Sequence, residues 1–214
     1  MIEGKFISHK EFGQLTELLM DDVERCWNAL HKAETKEDQN FWKRAFTRSV
    51  FAQIEGFTEF FRSQALAVEF NKMGLCISSG QALVFNPGLI SVLGGDAFSI
   101  NEDGEIKGQT LKTPFLQNLL FCFKRFAEAH NVQVQIKKGD QWSKIQSAVR
   151  VRDGLMHPKT LKSLEIGEQE IEDVVFTLKW FYQQLHSILK QNFPNEEIFK
   201  EFPSDDFRLK LKKF

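Results

Sequence analysis

The chain has 214 residues, 42% of them apolar, which suffices for a sizeable core and argues against wholesale disorder. A formal net charge of −1 excludes a chain-wide nucleic-acid footprint, so any such role needs a local basic patch. Three scattered cysteines, Cys26, Cys76 and Cys122, with no C-x-x-C pair, argue against a disulfide framework or a zinc site and for packed thiols in a reducing compartment. The 22 Phe against one Tyr read as core or interface filler. Residues 1–10 hold no apolar signal core, and no window reaches about eighteen uninterrupted apolar residues, so a cytoplasmic protein with no membrane partner is expected.

Taken in chain order, a first helix starts near Ser8. Ser8 and Glu11 have capping-box spacing, Ile7 is placed to staple onto Phe12, and Leu15, Leu18, Leu19, Val23, Cys26, Trp27 and Leu30 recur at helical spacing up to about Glu34. Thr35 caps a second, longest helix with Glu37 and Asp38 in its first turn. Its broad apolar surface, from Phe41 through Phe46, Val50, Ile54, Phe57 and Phe61, runs to about Met73.

From about 74 to 112 the character changes. Gly and Ser become frequent, Pro87-Gly88 and Gly94-Gly95 punctuate, and Asp103-Gly104 separates short alternating runs that read as a small β-hairpin. This stretch reads as an insertion between helices. Thr113-Pro114 marks the third helix, with Thr113 as cap and Pro114 at the first helical position, running to about His130. Residues 132–136 alternate and suit a short strand or an extended connection. Asp140 is placed to cap a fourth helix through Trp142, Ile145, Ala148, Val149 and Arg152, weakened at Gly154 and stopped by Pro158. Ile171 to Leu189 make a last long helix, followed by a mixed tail, about 192–214, ending in Arg208, Lys210, Lys212 and Lys213. The expected architecture is all-α, one domain over 1–214, with a β-containing insertion.

No Gly-rich phosphate loop, no His-Glu-x-x-His, no Cys/His cluster and no Gly-x-Ser-x-Gly elbow is present, so no metal or cofactor is expected. What remains is Arg152-Asp153-Gly154-Leu155-Met156-His157. Histidine titrates near neutrality and moves protons, and arginine forks onto phosphate oxygens. Together they suit attack of a ribose 2′-hydroxyl on its neighbouring phosphate without a metal. Residues five apart on an unbroken helix point roughly 140° away from each other. Gly154 and Pro158 are therefore expected to end the helix and let His157 swing toward Arg152, with Asp153 orienting either residue. The same residues also suit an ordinary solvated helix end. Arg25 to His31 and Arg125 to His130 repeat the loose spacing, but neither has a polar residue directly after the Arg.

Residues 149–159, carrying Arg152-Asp153 and His157-Pro158, resemble the active-site segment of HEPN-domain proteins (higher eukaryotes and prokaryotes nucleotide-binding). That family is described by Arg, four to six residues, then His, ahead of the final long helix. The resemblance covers roughly residues 8–73 and 113–191. It implies an up-and-down helical bundle, a homodimer with two motifs facing across a cleft, and a metal-independent endoribonuclease of a toxin or defence system, with RNA or nucleotide as ligand and an antitoxin or operon partner. The resemblance gives Arg152 the phosphate, His157 the general acid/base role and Asp153 their support. Some family toxins carry a Tyr two residues after the His, which their antitoxin modifies; here Lys159 stands there.

Between 137 and 162, Lys137, Lys138, Lys144, Arg150, Arg152, Lys159 and Lys162 face only Asp140 and Asp153, a basic stripe suited to RNA. Lys159, Arg150 and Lys144 are the candidate substrate contacts. The alternative is that Glu165, Glu168, Glu170, Glu172 and Asp173 neutralise the stripe. Arg48 and Glu55, seven apart on one helix face, are candidate supporting residues that pair with each other or with the motif region; a structural ion pair is the plainer reading.

Overall fold

The computed structural model describes residues 8–79, 87–134, 139 and 141–192. It is mostly α-helical with one small antiparallel hairpin. Helix α1, His9–Lys32, opens with the capping box that its sequence specifies: the Ser8 N–H donates to Glu11 Oε2 at 3.0 Å and the Glu11 N–H to Ser8 Oγ at 3.2 Å. Helix α2, Lys36–Ser79, is capped by Thr35, whose Oγ1 accepts the Asp38 N–H at 3.0 Å. It runs six residues past the expected end at Met73. Glycine keeps its N–H donor and costs a helix only about 1 kcal/mol, so Gly74 lowers propensity without breaking the ladder.

Helix α3, Pro87–Gly94, occupies a stretch that reads as punctuation in the sequence. Its proline stands in the first turn, where a missing N–H is harmless. Gly95 then turns the chain at φ 69°, a conformation that glycine adopts freely, and an added Cβ would lie 2.6 Å from an Arg62 guanidinium nitrogen. Strands β1, Asp96–Ile100, and β2, Ile106–Thr110, pair antiparallel with Ile100 opposite Ile106, and Gly104 supplies the φ of 78° that the turn needs. Helix α4, Phe115–Ala129, has Pro114 itself at the N-cap with no side-chain cap; Thr113 does not fill that role. Helix α5, Trp142–Met156, begins after Gln141, also without a side-chain cap. A 3-10 turn, Leu161–Leu164, leads to α6, Glu168–Asn192. The Ile7 staple, the Asp140 cap, Lys137, Lys138, the end of the 132–136 run and the tail beyond Asn192 lie outside the described residues.

The chain gathers into two compact units. One comprises residues up to Leu18 and Glu55–Asn131. Its centre is aromatic: Phe61, fully buried, lies 5.2 Å from Phe123 and 4.4 Å from Phe126 between ring centroids, and Phe12 stacks on Phe60 at 3.7 Å. Leu93 of α3 joins Ala65 and Leu66 in a second buried cluster. The other unit comprises Leu19–Ile54 and the chain from Val132. There α5 packs against α6, and Trp27, Phe46, Val50, Ile145, Ala148, Val174, Leu178 and Phe181 are buried. Among the described residues no helix is long and apolar enough to cross a membrane.

Candidate functional site

The motif lies wholly within the second unit, at the C-terminal end of α5. Ile145, Ala148, Val149 and Leu155 turn into the core and fix which face of the helix looks outward. Arg150 and Asp153 are on the exposed side, and Arg152 is half-buried beside them. The Arg152 Nη1 donates to Asp153 Oδ1 at 2.8 Å; the arginine side chain is 21% exposed and the aspartate 55%. Asp153 thus holds the guanidinium by a charge-assisted hydrogen bond, one of the two orienting roles expected of it.

The helix does not yield at Gly154. It continues through Met156, and His157 is the C-cap, at φ −132° and ψ 63°, with its N–H donating to the Asp153 carbonyl at 3.0 Å. Pro158 is the reason: its ring disfavours α conformation in the preceding residue and it has no N–H to extend the ladder. Gly154 serves a different purpose. A Cβ built there would stand 3.5 Å from the Ser163 carbonyl oxygen, so the glycine faces the 3-10 turn where it crosses the end of α5. The His157 side chain is exposed. The His157 backbone closes the end of α5 one residue after Arg152, at the Asp153 carbonyl.

Two arginines of α2 reach this end of α5. Arg48 Nη2 donates to the Leu155 carbonyl at 3.3 Å, and Arg44 Nη1 to the Leu164 carbonyl at 3.4 Å. Arg48, expected to pair with Glu55 or with the motif region, thus reaches the motif region. Glu55 is half-buried and belongs to the other compact unit. Arg44 was not among the sequence candidates; its only signal is lying one turn before Arg48 on the same helical face.

The proposed substrate contacts differ in setting. Arg150 and Lys159 are exposed, as is Lys162. Lys144 is exposed but holds its Nζ 5.2 Å from the centre of the Phe176 ring, a cation–π contact across α5 and α6. Three of the acids that follow in sequence have other partners among the described residues. Glu168 pairs with Lys43 of α2, the Glu170 carboxylate accepts the Gly167 N–H at 2.7 Å, and buried Asp173 accepts from Gln169 at 3.4 Å. Both alternative Arg–His spacings are tied up locally, Arg25 with Asp21 and Arg125 with Glu128, each at 2.7 Å. Among the described residues no group of three His, Cys, Asp or Glu side chains is placed to hold a metal ion.

Compared with family models, with characterised proteins and with solved structures, the chain shows no significant match.

Proposed function

We propose that this chain is a HEPN-type, metal-independent endoribonuclease built on a HEPN-like helical bundle. The observation that carries the reading is the grouping of Arg152, Asp153 and His157 at the C-terminal end of α5, with the guanidinium oriented by its neighbour and the imidazole exposed at the cap. In this mechanism the ribose 2′-oxygen attacks the adjacent phosphorus and the bond to the 5′-oxygen of the next nucleotide breaks. A neutral His157 takes the 2′-hydroxyl proton, and an imidazolium returns a proton to the departing 5′-oxygen. Arg152 holds the negative charge that builds on the phosphoryl oxygens. The products are a 2′,3′-cyclic phosphate and a 5′-hydroxyl. A homodimer supplies two imidazoles, one for each proton transfer. Lys159, Arg150 and Lys144 contact the RNA backbone, and two of the acids that follow them, Glu168 and Glu170, are engaged elsewhere. A role as a cytoplasmic toxin or defence effector, restrained by an antitoxin or operon partner, follows from the same resemblance.

A non-catalytic RNA- or nucleotide-binding module is the second reading, favoured by the pairing of Arg152 with Asp153 and its low exposure. The test is RNA cleavage in EDTA by the full chain, with Arg152→Ala and His157→Ala beside it. Each substitution is expected to lower the rate by about 10²- to 10⁴-fold, the usual cost of losing a general acid/base or a group that holds transition-state charge. Cleavage unchanged in both variants refutes the assignment. Binding with no cleavage in the wild type points to the second reading.

A further inference from the structure

The unit that comprises residues up to Leu18 and Glu55–Asn131 holds a cavity lined from α2, α3 and α4. Its volume is about 190 Å³. That falls below the roughly 300 to 1,000 Å³ of clefts that take drug-sized ligands, so any occupant is small. Part of the lining is apolar: Leu93 is buried against Ala65 and Leu66, and Leu89 packs beside them. Four charged side chains, Glu69, Lys72, Arg125 and Glu128, line it as well.

These charges form two pairs set by helix spacing. Lys72 Nζ lies 2.8 Å from Glu69 on α2, and Arg125 Nη1 lies 2.7 Å from Glu128 on α4. Within each pair one member is the more enclosed. Glu69 is 27% exposed against 59% for Lys72, and Arg125 is 34% exposed against 46% for Glu128. The cavity thus meets a sheltered carboxylate from α2 and a sheltered guanidinium from α4.

Arg125 is held in place with donor capacity to spare. The Phe121 ring centre lies 5.5 Å from its guanidinium carbon. Glu128 engages Nη1, whereas Nε is shut off from solvent and has no hydrogen-bond partner among the described residues. A charged donor closed off in this way is costly unless an acceptor reaches it. Nε and Nη2 together form the side-on fork of the guanidinium, which takes a carboxylate by two parallel hydrogen bonds. The four lining charges sum to zero. A lone anion would face Glu69 and Glu128 as well as the cations, and a lone cation would face Lys72 and Arg125. A ligand that carries both signs meets an opposite charge at each end.

We propose that this cavity binds a free α-amino acid with a small aliphatic side chain, its carboxylate on the Arg125 fork, its ammonium on Glu69 and its side chain against Leu89 and Leu93. The site is independent of the ribonuclease reading. The test is isothermal titration calorimetry of the full chain with L-alanine, L-valine and L-leucine. At least one should bind with a Kd at or below about 1 mM. The matching amine-free acid and carboxylate-free amine (isocaproate and isoamylamine for L-leucine) should bind at least about tenfold more weakly, since each leaves one lining charge unanswered. Arg125→Lys keeps the charge, loses the fork and should weaken binding at least about tenfold. In the wild type the Leu89 and Leu93 methyl NMR signals should shift on addition of the amino acid. The proposal is overturned if none of the three binds at about 10 mM. Equal binding of the amine-free acid assigns the cavity to simple carboxylates and overturns it too. An affinity unchanged in Arg125→Lys, or Leu89 and Leu93 methyls that stay put, places the amino acid elsewhere and does the same.

Discussion

Replacing Gly154 with alanine separates two views of the end of α5. If glycine were needed to break the helix and free His157, a side chain there would damage both fold and site. The structure places Gly154 inside α5, two residues before its end, with an alanine Cβ 3.5 Å from the Ser163 carbonyl oxygen and 3.7 Å from the Ser163 Cβ. Both are ordinary van der Waals distances, so nothing has to shift. Alanine is preferred to glycine in a helix by about 1 kcal/mol, and part of that gain comes from restricting the unfolded chain. Near a helix end the full value is not reached, so Gly154→Ala should stabilise by about 0.5 to 1 kcal/mol. For a chain of this size that raises the melting temperature by roughly 1 to 4 °C. Urea unfolding with a fixed slope measures the free energy directly. Destabilisation by more than about 1 kcal/mol, comparable to losing a good hydrogen bond, would refute the reasoning. It would mean that the 3-10 turn approaches too closely to admit a methyl group, or that α5 departs from helical geometry at this residue.

Other consequences are as direct. Phe61→Ala removes a fully buried ring packed against Phe123 and Phe126 and should cost about 3 to 5 kcal/mol in chemical denaturation. Burial pushes the Cys122 thiol up to about 12, so iodoacetamide at pH 8 should leave Cys122 unlabelled in the native chain and label it in denaturant; labelling at the rate of an exposed thiol would contradict its placement. The Ser8 hydroxyl and backbone N–H hold the Glu11 carboxyl below the ordinary carboxylate range. Its contribution to α1 is thus present above the unfolded carboxylate value and is lost as the pH falls through the lower folded one, and an NMR titration should show Glu11 moving back up in Ser8→Ala. Thr35→Ala should destabilise by about 1 kcal/mol through the lost cap of α2, measured by thermal unfolding.

Features written locally were legible in advance. Ser8 with Glu11, and Thr35 with Asp38, are contacts over three residues, so the starts of α1 and α2 stand in the sequence itself. The hairpin follows from Asp103-Gly104 between alternating runs, and α6 from its unbroken apolar period. Helix ends were harder. Gly74 has the look of a stop but lacks the force of a proline, and α3 is too short to show periodicity. At the site, the Arg152–Asp153 contact joins neighbours and was foreseeable. The contacts of Arg44 and Arg48 bridge 120 and 107 residues and depend on how α2 lies against α5, which no local pattern encodes.

Those two long-range contacts have a practical bearing on any mutagenesis of the motif. The end of α5 and the 3-10 turn that follows it are pinned by α2, through carbonyls, at Leu155 and at Leu164. Neither pin uses the side chain of Arg152 or His157. Truncating either residue should leave the backbone path standing, so a silent variant reports on missing chemistry and not on a collapsed scaffold.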